Sequence, residues 1–101
     1  MQINEIQEMM KTLYGERDLK RGTDHTFNWL VDEVQELGDA IDDNDKESTE
    51  KEIADVLAWL ASLANILDIN LEKAFLKKYH NKCPRCLSSP CNCTYTESKR
   101  F

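Results

Sequence analysis

Two pairs of acidic residues have the spacing and the position expected of metal ligands. Glu33 and Glu36 form one pair, and Glu52 and Asp55 form the other. Residues three apart share one side of a helix, and each pair borders the apolar stripe of its own helix. Four carboxylates in one cleft repel one another unless cations are bound, and oxygen ligands favour Mg²⁺ or Mn²⁺ over zinc. The alternative interpretation is that both pairs are ordinary surface acids.

Four cysteines near the end of the sequence form a second candidate metal site. Their spacing is C-x2-C-x4-C-x-C, and the first two have the usual spacing of a zinc half-site. In a cytoplasmic protein this pattern favours a zinc site with four cysteine ligands, with paired disulfides as the main alternative and an iron–sulfur cluster as a third. The four residues are Cys83, Cys86, Cys91 and Cys93.

The elements that would position these residues are predicted to be helices. Apolar residues recur at helical spacing up to about residue 82, and alternation typical of strands is absent. A polar connection, GERDLKRGTDH, is predicted between the first two helices. The predicted helices run from Ile3 to Tyr14, from Asp24–Thr26 to about Ile41, from Asp45 or Lys46 to Leu67, and from Leu71 to Asn81.

Short connections between these helices predict an all-α, four-helix bundle. The chain has 101 residues, of which 41% are hydrophobic, so it forms one domain with a modest core. We therefore expect a homo-oligomer, a dimer or a tetramer, to complete the bundle. Residues 1–82 are predicted to be the helical catalytic domain, and residues 83–101 a cysteine-rich appendage, the zinc knuckle.

The charge distribution limits the partners of this protein. The formal net charge is −6, and the segment from Asp32 to Asp55 contains eleven acidic residues but only two lysines. Such a block repels the phosphate backbone, so no direct binding of nucleic acid is expected. No apolar segment is long enough to span a membrane, and the charged N-terminus is unlike a secretory signal. The sequence therefore predicts a cytoplasmic protein.

The acidic pairs also carry a resemblance to a known family. The segments DEVQE (residues 32–36) and EIAD (residues 52–55) are similar to the E-E-x-x-E and E-x-x-D signature of MazG-like proteins. These belong to the all-α nucleoside-triphosphate pyrophosphohydrolases, with dimeric dUTPases and phosphoribosyl-ATP pyrophosphatase as relatives. Asp32 departs from the first glutamate of the signature, and helical geometry points it away from the cleft. The resemblance covers roughly residues 3–81.

The resemblance implies hydrolysis of a (deoxy)nucleoside triphosphate to a monophosphate and pyrophosphate, for housekeeping of the nucleotide pool. It makes Glu33, Glu36, Glu52 and Asp55 the magnesium ligands, and Glu36 is our choice for the general base. Lys77 and Asn81 match a K-x-x-x-N element that would contact phosphate, with Lys78 as the alternative in another register. Arg17 and Arg21 are further candidates for phosphate binding. Trp59, or alternatively Trp29, would stack on the nucleobase.

Two other functions remain open at the level of sequence. Phosphoribosyl-ATP pyrophosphatase has similar chemistry and a similar fold but a different substrate. A helical adaptor or regulator with a zinc knuckle would have no activity, and Glu52→Ala would leave its partner binding intact.

Overall fold

The computed structural model describes residues 1–94, and these residues form four helices. Helix α1 spans Ile3–Arg21, α2 spans Thr23–Asp42, α3 spans Lys46–Ile66 and α4 spans Leu71–Lys78. No strand occurs within this part of the chain, so the predicted all-α fold is confirmed. Within residues 1–94, no helix combines the length and the apolar character needed to cross a membrane.

The chain divides into two compact units, one of residues 1–71 and a second that begins at Glu72. In the first unit, α3 packs against both α1 and α2. Three residues, 43–45, connect α2 to α3, which makes these helices an antiparallel hairpin. Asn44 adopts a φ of 55° in this turn, and the Asp45 carboxylate accepts a hydrogen bond from the backbone N–H of Ser48 at 3.1 Å. Asp45 therefore caps α3 and fixes where it begins.

The first helix is longer than the sequence pattern predicts. Its predicted end at Tyr14 is wrong, because α1 continues through Gly15 to Arg21. A single glycine in a helix costs only about 1 kcal/mol relative to alanine, and good helix formers follow it. The chain breaks instead at Gly22, whose φ of 86° favours glycine. Arg17 and Arg21 consequently extend from a helix and not from a loop.

The fourth helix is shorter than predicted. It ends at Lys78, and Asn81 has a φ of 61°, which asparagine tolerates better than most residues. The expected helical register between Lys77 and Asn81 is therefore wrong, since only Lys77 lies on the helix. The bounds of α2 and α3 agree with the predicted ones to within a few residues.

Small side chains occupy the centre of the first unit. Ala61 is fully buried, and Ala40 and Ala64 are nearly so. These alanines allow α3 to approach its neighbours closely, but they fill little volume. Much of the predicted apolar stripe of α2 stays exposed in the single chain, including Phe27 and Val34.

A buried glutamine joins the start of α1 to the end of α3. The Gln7 side-chain amide donates to the Asn65 side-chain oxygen at 3.0 Å and to the Ile69 carbonyl at 2.7 Å. Its Oε1 atom accepts from the backbone N–H of Leu71 at 2.9 Å, and Asn65 Nδ2 returns a bond to the Gln7 carbonyl at 3.1 Å. Each amide thus satisfies the other, as buried polar groups require.

Candidate metal and nucleotide site

Three of the four predicted magnesium ligands lie together between α2 and α3. Glu33, Glu36 and Glu52 each offer a carboxylate oxygen, and these oxygens all lie within 4.8 Å of one another. The first two are one turn apart on α2, and the antiparallel hairpin places Glu52 opposite them. Asp55, the fourth predicted ligand, lies one turn further along α3, and its charge acts on Glu33.

The electrostatics of this acidic cluster are unfavourable without a cation. Burial of its carboxylate raises the pKa of Glu33 from 4.5 to about 7, and the neighbouring carboxyls of Glu36 and Glu52 contribute to this rise. The negative charge of Asp55 acts in the same direction. Desolvation and like charge are the two effects that disfavour an ionised carboxylate. The fold therefore holds Glu33 where its charged form needs a positive partner.

The oxygen atoms of the cluster fit a divalent cation. Glu33 Oε2 and Glu52 Oε2 are buried, and neither has a hydrogen-bond partner among residues 1–94. Buried polar atoms are rarely left without a partner in a folded protein, and a bound ion would provide one here. Carboxylate oxygens are the ligands of Mg²⁺, which takes one or two carboxylates together with waters and substrate phosphates. The residues present thus suit Mg²⁺ or Mn²⁺ shared with a phosphate-containing ligand.

Glu33 should make the stability of the metal-free protein depend on pH. Its pKa in the folded chain, about 7, exceeds the ordinary value of 4.5, so the folded state holds this proton more tightly. The resulting stabilisation is complete below the ordinary pKa and is lost as the pH rises through about 7. We expect the melting temperature in EDTA to fall over this range in the wild type, and Mg²⁺ to reverse the fall.

The measurement is thermal unfolding against pH, with EDTA and with Mg²⁺, for the wild type and for Glu33→Gln. The variant should lack this component of the pH dependence, because glutamine does not titrate. Asp32→Asn is the matched control, since Asp32 is the exposed neighbour of Glu33. Parallel curves for the wild type and Glu33→Gln would contradict the assigned role of Glu33.

A cavity of about 350 Å³ lies beside the acidic cluster, between α1, α2 and α3. Asp55 lines it together with Arg17, Arg21, Trp29 and Trp59. The two indole rings are 5.4 Å apart, measured between centroids, and are inclined at 53°. The cavity therefore brings both predicted tryptophans and both predicted arginines to the side of the site where Asp55 lies.

Arg21 is held in place by its neighbours. Its guanidinium forms an ion pair with Asp18, and its Nε donates to the Thr26 hydroxyl at 3.0 Å. The Thr26 hydroxyl in turn donates to the Gly22 carbonyl at 2.7 Å. The guanidinium carbon lies 4.6 Å from the centroid of the Trp59 ring, within cation–π range. Arg21 is thus no freely solvated surface charge, whereas Arg17 is exposed at the edge of the cavity.

Asp18 and Thr26 are two site residues that the sequence analysis misses, although both are almost completely buried. Asp18 falls within the predicted polar connection, and Thr26 is predicted only to lie at the start of α2. The available signal is the spacing of Asp18 and Arg21, which is that of an i, i+3 ion pair if α1 extends through Gly15.

The remaining predicted phosphate ligands lie in the second unit. Lys77 and the alternative Lys78 are in the last turn of α4, and Lys78 lies over the ring of Tyr79 at 5.6 Å. Asn81 follows in the left-handed conformation. All three residues remain predicted ligands, although Asn81 lies beyond the end of the helix.

The four cysteines converge in the second unit. Their four Sγ atoms all lie within 4.8 Å of one another, and all four residues are free thiols. Backbone N–H groups lower the pKa of Cys86 to about 6, chiefly that of Asn92, and the backbone N–H of Cys86 lowers the pKa of Cys83. The adjacent sulfur of Cys91 raises the pKa of Cys93 to about 12.

The chain is similar to a known protein family. A family model described as the MazG nucleotide pyrophosphohydrolase domain matches residues 21–87, which is more than half of the chain. The match includes both acidic pairs, both tryptophans and Arg21. No curated protein matches the chain.

Proposed function

The chain belongs to the MazG nucleotide pyrophosphohydrolase family, and we propose that it hydrolyses (deoxy)nucleoside triphosphates to a monophosphate and pyrophosphate with Mg²⁺. The observation that carries this proposal is the acidic cluster, whose two buried oxygens lack a hydrogen-bond partner among residues 1–94, next to a cavity lined by aromatic and cationic side chains. Carboxylates for a cation, arginines for phosphate and indoles for a base are the three parts that a triphosphate requires.

The acidic residues are proposed to bind the metal ion, because their carboxylates lie close together between α2 and α3. Glu33, Glu36, Glu52 and Asp55 would hold Mg²⁺, or Mn²⁺ in its place. When bound, the cation supplies charge neutralisation for the phosphates and lowers the pKa of water. Glu36 is the exposed member of the cluster. We propose that it is the general base, which accepts a proton from the attacking water.

The cationic residues are proposed to bind the phosphates, where they balance the negative charge and orient the triphosphate. Arg21 is preorganised by Asp18 and Thr26, while Arg17 reaches the phosphates from the exposed edge of the cavity. Lys77 and Asn81 are proposed as further phosphate ligands, with Lys78 as the alternative.

Trp59 is the proposed platform for the nucleobase. Replacing it by alanine should raise KM by about three- to tenfold, because a stacked aromatic pair contributes about 0.5–1.5 kcal/mol beyond its buried area. Trp59→Phe should retain most of this affinity. Steady-state kinetics with the preferred nucleotide make the comparison, and a smaller effect for Trp59→Ala than for Trp29→Ala would transfer the role to Trp29.

The apolar faces that remain exposed on α2 and α3 support a homo-oligomer. Phe27 and Val34 on α2 are 52% and 49% exposed, and Ile53 on α3 is 55% exposed. We propose that a second copy covers these faces, in a dimer or tetramer. Sedimentation equilibrium measures the mass of the assembly, and a monomer at all concentrations would contradict the proposed homo-oligomer. The proposed setting is the cytoplasm, where triphosphates and free thiols are both maintained.

Product analysis tests the activity. The purified chain is incubated with each NTP and dNTP and with phosphoribosyl-ATP, in Mg²⁺ or in EDTA, and the products are separated. Release of pyrophosphate and monophosphate from a nucleoside triphosphate, in Mg²⁺ alone, is the expected result. Exclusive turnover of phosphoribosyl-ATP would assign the chain to that relative. Absence of turnover on the whole panel would overturn the enzymatic proposal in favour of an adaptor or regulator.

A further inference from the structure

Residues 72–94, the described part of the second unit, lack the apolar interior that normally stabilises a fold. None of residues 72–94 is buried, and α4 has only eight residues. An isolated helix of that length is unstable in water, and segments this small usually depend on disulfides or on a metal. The aromatic rings of Phe75 and Tyr79 stack at 5.1 Å, but this pair alone is a small contribution.

The sulfur atoms have the separations of a tetrahedral metal site. Cys83 Sγ and Cys93 Sγ are 3.8 Å apart, and Cys86 Sγ and Cys91 Sγ are 4.0 Å apart. Four thiolates at a zinc–sulfur distance of about 2.3 Å would be separated by about 3.8 Å at the corners of a tetrahedron. Bonded sulfurs in a disulfide are only about 2.05 Å apart. The arrangement therefore corresponds to metal ligation and not to two disulfides.

The backbone around the cysteines is arranged for thiolates. The N–H of Leu87 donates to the Cys83 carbonyl at 2.8 Å, and Leu87 has a φ of 60°, which closes a turn around the first two cysteines. The Asn92 N–H donates to Cys86 Sγ at 3.2 Å, and the Cys93 N–H donates to Cys91 Sγ at 3.3 Å. Hydrogen bonds to a ligating sulfur orient it and favour its charged form.

From these observations we infer that Cys83, Cys86, Cys91 and Cys93 bind one Zn²⁺ ion, which folds the second unit. Thiolates are soft ligands that select zinc over the hard cations suited to the acidic cluster. The chain supplies all four ligands, so no position is open to water or substrate and the site is structural. Metal binding and local folding are then one equilibrium, as in other small metal-dependent units. The zinc site does not depend on the proposed activity.

The experiment measures metal in the full chain purified under reducing conditions and dialysed against metal-free buffer. About one zinc per chain is expected, with all four thiols protected from a thiol reagent until the metal is displaced. The double variant Cys86→Ser, Cys93→Ser should retain less than about a tenth of that zinc, because two ligands are lost. Glu52→Gln is the matched control and should retain all of it, since the acidic cluster is a separate site.

A second measurement does not depend on the folding of a variant. The wild-type apoprotein is titrated with Co²⁺, and a 1:1 end point with thiolate-to-cobalt charge transfer and intense tetrahedral d–d bands is expected. Loss of zinc from Glu52→Gln but not from the cysteine variant would overturn the inference. So would two disulfides in a metal-free chain, iron with acid-labile sulfide, or a failure of the apoprotein to bind zinc or cobalt.

Discussion

Replacing Glu52 by glutamine should lower kcat for Mg²⁺-dependent pyrophosphate release by at least about 100-fold. Loss of an outer partner of a metal ligand already costs about 10–100-fold in affinity or activity, so loss of a ligand itself should cost more. Glu52 is the residue through which α3 completes the acidic cluster, and its Oε2 is one of the two buried oxygens of that cluster that have no hydrogen-bond partner among residues 1–94. Glutamine has nearly the same shape but lacks the charge that a divalent cation requires.

The fold should survive this change and can even gain stability. Glutamine in place of Glu52 removes one negative charge from the surroundings of Glu33, so the metal-free variant should melt no lower than the wild type. The stabilisation by Mg²⁺ should disappear, because ligand binding stabilises only while the site exists. Glu47→Gln is the matched control on the same helix, since Glu47 is 84% exposed and pairs only loosely with Lys51. Unchanged turnover in Glu52→Gln would remove the acidic cluster from the mechanism.

The geometry of the acidic cluster could be predicted because it depends on short-range rules. Spacing of three residues places Glu33 and Glu36 on one side of α2, whatever else the chain does. The short connection after α2 requires an antiparallel hairpin, so a second acidic pair on the facing edge of α3 must come close. The start of α3 at Asp45 is recognisable for the same reason, since the capping side chain acts within one turn.

The polar contacts that hold α1 in place could not be predicted, because they depend on which polar side chains are buried. Asp18 and Gln7 occur among charged and polar neighbours, and the i, i+3 spacing of Asp18 and Arg21 indicates an ion pair without showing that it is buried. Each has a partner that the predicted helices do not place beside it: Arg21, which pairs with Asp18, lies beyond the predicted end of α1, and Asn65, which bonds to Gln7, lies on another helix. The predicted end of α1 is wrong at Gly15 for a related reason, since tertiary packing outweighs the small cost of one glycine.

The second unit shows the same limit in a different form. The spacing of the cysteines indicates a metal site, but spacing alone leaves disulfides and iron–sulfur clusters open. The choice between them depends on sulfur separations and on backbone N–H groups aimed at sulfur, such as that of Asn92. Those contacts arise from turns with left-handed residues, including Leu87, which local propensity disfavours.

Asp18→Asn should lower both stability and apparent substrate affinity. Asp18 is 2% exposed and holds the Arg21 guanidinium over Trp59. Removal of one partner from a fully buried ion pair costs about 3–5 kcal/mol, but the Arg21 side chain is 21% exposed and partly screened by water. We therefore expect a loss of about 1–3 kcal/mol in the free energy of unfolding, measured by urea denaturation against the exposed control Asp24→Asn.

The kinetic effect distinguishes a positioning role from a purely structural one. If Arg21 binds phosphate, then releasing it from Asp18 should raise KM about tenfold, because a hydrogen bond to a charged group contributes about 1.5 kcal/mol or more. Arg21→Met should raise KM similarly, and the double variant should add little, since both changes remove one interaction. Independent, additive effects on KM, or a loss of stability with KM unchanged, would restrict Asp18 and Arg21 to holding α1 against α3.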